Sequence, residues 1–110
     1  MKEFTLGSSA DEIIRLFPEG RVKKVRLDNL EIGVLRKGNS FHAFELFCPH
    51  RGASLLNAFT NSSGELICAL HEYRFDLKTG QAKSGSCRDL ILYTCRLTEN
   101  GLLVEVPENQ

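Results

Sequence analysis

The stretch CPHRGASL at residues 48–55 is answered by CALHEYRFD at residues 68–76. Each sets one cysteine beside one histidine: Cys48-x-His50, then seventeen residues, then Cys68-x2-His71. Two thiolates and two imidazoles suit either a zinc ion or an iron–sulfur cluster. Zinc knuckles usually pair cysteine with cysteine in one loop and histidine with histidine in another. Here each loop donates one of each. A two-iron cluster accounts better for that mixed pairing, because two cysteines from different loops can hold one iron while two histidines hold the other. Both loops then present their ligands side by side to both metals.

Outward from these loops the chain reads as strands. Val25 and Leu27 alternate with basic residues, and Leu30, Ile32 and Val34 follow across an Asp28-Asn29 turn. After Lys37-Gly38-Asn39, Phe41 to Phe47 makes a third strand. Towards the C-terminus Ile91, Tyr93, Cys95 and Leu97 share one face, and Asn100-Gly101 signals a hairpin leading to Leu102, Val104 and Val106. Ser9-Ala10-Asp11-Glu12 has capping-box form, which places a short helix from about Ala10 until Pro18 stops it. Residues 48–88 are richer in Gly, Ser and Asn. The expected fold class is all-β: antiparallel sheets with one short N-terminal helix and a loop-rich metal-binding subdomain at about 46–88, in a single domain over 1–110.

The composition narrows the function. The chain has 110 residues, 42% hydrophobic and 25% charged, within the range of an ordinary globular domain. Fourteen basic residues cancel fourteen acidic ones, so the basic footprint of a nucleic-acid binder is missing. No apolar run approaches a membrane span or the core of a signal peptide. The expected compartment is therefore the cytoplasm, where thiols stay reduced and a Cys beside a His reads first as a metal ligand.

CPHRGASL and CALHEYRFDLKTG resemble the two cluster-binding loops of the Rieske [2Fe–2S] family, in its soluble ferredoxin branch. The likeness extends over roughly residues 21 to 106, with Phe75-Asp76 and Gly80 falling where the family has an F-D…G turn. It implies one Rieske-type [2Fe–2S] cluster held by Cys48, His50, Cys68 and His71. Backbone N–H groups at Arg51, Gly52, Ala53 and Leu70 would then face the cluster sulfurs. Pro49, Arg51, Leu70 and Tyr73 would rim the surface where a partner docks. Ala53 and Leu70 also stand where high-potential respiratory members carry a disulfide, which places this chain with the ferredoxins. Three positions depart from the family pattern: Ala69 replaces a common proline, Glu72 replaces the glycine after the second histidine, and Ser86-Cys87 occupies the proline loop.

The resemblance implies an electron carrier rather than an enzyme, passing single electrons from a flavin reductase to a terminal oxygenase and monomeric when isolated. A 2-His-1-carboxylate iron site for oxygen chemistry needs two further histidines, and only His42 is left. Two alternatives stay open from the residues alone: the small Rieske-like subunit of an NAD(P)H nitrite reductase, and a structural zinc module that mediates protein contacts. Cys95, on an apolar face, reads as a small buried hydrophobe, and Cys87 as an inert thiol. The hydroxyl donors of high-potential members correspond here to Tyr73 and Phe75, which points to a low reduction potential.

Overall fold

A computed structural model describes residues 1–49, 52–70, 72–84 and 87–108. Among them ten strands and one α-helix form, in the order β1 (Lys2–Leu6), α1 (Ala10–Leu16), β2 (Val22–Leu27), β3 (Leu30–Lys37), β4 (Ser40–Glu45), β5 (Phe59–Thr60), β6 (Glu65–Ile67), β7 (Arg74–Asp76), β8 (Ala82–Ser84), β9 (Leu92–Thr98) and β10 (Gly101–Val106). A six-stranded sheet runs β1-β10-β9-β4-β3-β2, and a four-stranded one runs β5-β6-β7-β8. All paired strands in both sheets are antiparallel.

The helix starts where the sequence places it. Ser9 is the N-cap, and its hydroxyl accepts the Glu12 N–H at 3.1 Å. A cap of this kind is worth about 1 kcal/mol. The Glu12 carboxylate reaches back one residue further than the standard box, to the Ser8 N–H at 2.6 Å. Ile13 is fully buried beneath the helix, which contributes ~1.5–3 kcal/mol of apolar burial and fixes α1 on the sheet.

Two apolar clusters lie on opposite sides of the strands. The first collects Ile13, Phe17, Ile32, Val34, Phe41, Ala43, Leu102 and Val104; the second collects Val22, Leu35, Phe44, Leu55, Leu66, Phe75 and Leu90 with Cys48 and Cys68. Successive side chains of a strand face opposite ways, so β3 feeds Ile32 and Val34 to one cluster and Leu35 to the other. That is why its middle is buried without interruption. Gly33 permits this closeness: a Cβ there would come within 2.7 Å of the Phe44 ring. The wall between the cores is thus β3 and β4, and the small sheet packs on its far side.

Several details differ from the sequence reading. Strand β1 was not expected; it pairs with β10 in the register Phe4↔Val104. The third strand ends at Glu45 rather than Phe47, which instead makes an isolated bridge to Ser54. The last hairpin turns on Glu99 and Asn100, with Gly101 already opposite Thr98. The loop-rich subdomain contains a sheet of its own, built of two- and three-residue strands.

Candidate metal centre

The two loops are built to one plan. In the first, the Cys48 N–H donates to the Ala53 carbonyl at 2.7 Å; in the second, the Cys68 N–H donates to the Tyr73 carbonyl at 2.8 Å. Each cysteine is therefore tied to the residue five positions on. In each, the residue four positions on has a left-handed backbone: Gly52 at φ 73° and Glu72 at φ 53°. Glycine adopts that region freely, whereas a side chain there costs about 1 kcal/mol or more. The conformation at Glu72, unsettled by the sequence, is therefore the glycine conformation, carried by a glutamate. Replacing Glu72 with Gly should stabilise the chain by about 1 kcal/mol, and Glu72→Val should destabilise it. Urea unfolding of the two variants beside the parent checks the sign.

Cys48 leaves the large sheet through Leu46, which accepts the Leu55 N–H at 2.8 Å, and through the Phe47–Ser54 bridge. Cys68 follows directly on β6, and the strand pairing Ile67↔Arg74 closes its loop from the other side. The small sheet is braced by the turn after Phe75-Asp76. One Asp76 carboxylate oxygen accepts the N–H groups of Lys78 (2.7 Å) and Thr79 (3.2 Å). Those bonds, the Lys78 N–H first, hold its pKa below the ordinary carboxylate value. Gly80 closes the turn at φ 80°, and a Cβ there would press on the Leu90 carbonyl oxygen.

Both thiols are buried, at 1% exposure for Cys48 and 0% for Cys68, in one apolar cluster with Leu55, Leu66, Phe75 and Leu90. None of the four cysteines is in a disulfide. A thiolate in such surroundings is costly unless metal offsets its charge. Two buried cysteines, one from each of two matched loops, therefore fit the cysteine half of a two-iron site. His50, His71 and Arg51 lie outside the described residues, as does Ser86. Among the described residues no group of three His, Cys, Asp or Glu side chains could hold a metal ion.

The other expected positions are placed as follows. Gly52 donates its N–H to the Cys48 carbonyl at 2.7 Å, which closes the first loop. Ala53 packs, partly buried, against the apolar cluster. Leu70 is 44% exposed, while Pro49 and Tyr73 are half-buried. Cys87 also packs on this cluster, and burial pushes its thiol pKa up. Cys95 sits against the other core with its thiol pushed up to about 12 by burial, in keeping with an inert packing role. His42 lies half-buried in β4, with its pKa lowered chiefly by burial.

A two-loop metal domain on an antiparallel frame defines the class, and the family follows directly. The profile described as "Rieske [2Fe-2S] domain" matches residues 11–94, and the chain belongs to that family. Its resident group is a [2Fe–2S] cluster, which decides between cluster and zinc. The chain is 35% identical over 51 residues to the ferredoxin component of the alkene monooxygenase system of Xanthobacter autotrophicus, a match covering 46% of this chain and 42% of that relative. It is 28% identical over 94 residues to the 3-phenylpropionate/cinnamic acid dioxygenase ferredoxin subunit of Escherichia coli, covering 84% and 88% of the two chains. Among solved structures, the ferredoxin of carbazole 1,9a-dioxygenase from Nocardioides aromaticivorans superposes with a TM-score of 0.79 at 24% identity, over 97% of this chain and 100% of that one. A putative NADH-dependent nitrite reductase small subunit from Mycobacterium tuberculosis gives 0.77 at 21% identity, over 96% of each chain.

Proposed function

We propose that this chain is a Rieske-type ferredoxin: a single-domain cytoplasmic carrier that takes one electron at a time from a flavin reductase and hands it to an oxygenase. The observation that carries the reading is the pair of buried cysteines on matched loops, in a chain of the Rieske family. The ferredoxin relatives from oxygenase systems support the choice of partner. The nitrite reductase alternative has fold likeness alone behind it.

In this reading Cys48 and Cys68 hold one iron, and His50 and His71 hold the other. When bound, the cluster supplies one-electron redox chemistry. The chain's own residues do the rest. Apolar side chains at 55, 66, 75 and 90 keep water from the thiolate side. The Ala53 and Tyr73 carbonyls fix the two loops at constant length. Leu70, exposed beside the second loop, gives a partner an apolar contact, with Pro49, Arg51 and Tyr73 completing the rim. A balanced net charge suits a small, transient encounter there.

With all four ligands in place the two irons would leave no open position for a substrate. The purified protein should therefore take up one electron per chain from dithionite and return it to an acceptor. Given oxygen and an organic substrate it should form no product unless partner proteins are added. Product formation by the chain alone would overturn the carrier reading.

A further inference from the structure

Glu45 ends β4, three residues before Cys48. Its carboxylate receives both arms of the Arg88 guanidinium, Nη2 to Oε1 and Nη1 to Oε2, each at 2.7 Å. Oε2 also accepts the Ile91 N–H at 2.7 Å, and the Glu45 N–H donates to the Ile91 carbonyl at 3.0 Å. Arg88 Nη1 makes a further bond to the Asp89 carbonyl at 3.0 Å. The segment after Cys87 is thus clasped to the strand that leads into the first metal-binding loop. Cys87 and Leu90, on either side of Arg88 and Asp89, pack into the cluster that buries Cys48 and Cys68.

Stability does not account for this arrangement. The Arg88 side chain is 54% exposed, and ion pairs of that exposure contribute little. The segment is also anchored without it, through Leu90 N–H to the Gly80 carbonyl and through Glu45 N–H to Ile91. What a two-pronged pair does supply is orientation, because a planar guanidinium held at both ends cannot swing away. Glu45, with only 15% exposure, is the fixed partner.

We propose that Arg88, oriented by Glu45, is a charge-setting residue of the redox centre: its guanidinium holds a positive charge on the cysteine side and raises the reduction potential. The proposal rests on the electron-carrier reading. Reduction adds one electron to the centre, and a nearby fixed cation stabilises the more negative state. Arg88 lies next to Cys87, which packs on the cluster that buries Cys48 and Cys68, and its own pKa is raised first by the Glu45 hydrogen bond. Glu45 carries the opposite charge and acts in the opposite direction.

The test is voltammetry of the cluster-bearing protein as parent, Arg88→Gln, Arg88→Lys and Glu45→Gln, with iron and sulfide assayed on each sample. Arg88→Gln should shift the reduction equilibrium about three- to tenfold towards the oxidised form; tenfold is 59 mV for one electron. Glu45→Gln should shift it the other way, and Arg88→Lys, which keeps the charge, should shift it less than Arg88→Gln. An unmoved potential in Arg88→Gln overturns the proposal. So do shifts of the same sign in Arg88→Gln and Glu45→Gln, which a merely loosened segment would give. If Arg88→Gln holds no cluster, Arg88→Lys decides: a potential near the parent's supports the charge role, and a marked shift at full iron content refutes it. A parent protein without iron and sulfide would overturn the carrier reading itself, a result distinct from a loaded protein whose potentials do not respond.

Discussion

Cys48→Ser and Cys68→Ser should each abolish the metal centre, the largest effect expected of any single change in this chain. Iron and sulfide analysis of the parent should give two irons and two acid-labile sulfides per chain and no zinc, as the family's cluster requires. Either serine variant should give neither. The thiolates carry the charge that balances the metal, and a serine hydroxyl does not ionise to replace them. Both positions are also enclosed, at 1% and 0% exposure, so a hydroxyl left without a partner there costs ~1–3 kcal/mol besides. The small sheet shares its apolar cluster with these two side chains and should loosen when the centre is lost. Proteolysis within residues 48–76 would report that loosening. One zinc per chain and no sulfide in the parent would contradict the assignment outright.

The reduction potential should lie near the bottom of the Rieske range, about −150 mV. Hydrogen bonds to cluster and cysteine sulfurs stabilise the reduced state, so fewer of them lower the potential. Phe75 stands where a hydroxyl donor occurs in high-potential members; it is fully buried in the cluster that holds Cys68 and offers no hydrogen bond. The Cys68 N–H is spent on the Tyr73 carbonyl. Glu72, exposed and next to His71, adds a negative charge that opposes reduction. Arg88 offsets part of this. Protein-film voltammetry at neutral pH measures the value. A potential of about +200 mV, in the upper part of the range, would remove the ferredoxin assignment while leaving the cluster.

Where local pattern decides structure, the sequence was legible. The β2-β3-β4 meander follows from alternation and two-residue turns, with Leu27 opposite Leu30 and Lys37 opposite Ser40. The Ser9 cap marks the helix start. Cys48 and Cys68 stood out because a mixed Cys-His pair in two loops has few other uses. Features that depend on distant partners left no such mark. Strand β1 is a strand only because β10 receives it, and Lys2-Glu3-Phe4-Thr5-Leu6 alone carries a weak signal. The small sheet's strands are too short to show a period, and Gly, Ser and Asn dominate their surroundings. The left-handed backbone at Glu72 contradicts the residue's own preference, so only the matched geometry of the first loop explains it. Glu45 and Arg88 lie 43 residues apart, and nothing local joins them.

Strands β4 and β9 are neighbours in the large sheet, with Ala43 opposite Tyr93, yet the whole metal-binding segment separates them along the chain. The frame must therefore close a loop of about fifty residues. That closure is slow to find, but its entropic cost grows only as the logarithm of loop length. Pairing β4 with β9 brings Glu45 against Ile91, at the strand that leads into the first loop. Connectivity thus makes the inserted segment one long loop whose two ends the large sheet holds together. A break in the pairing of β4 with β9 would therefore reach the metal-binding segment at both of its ends at once.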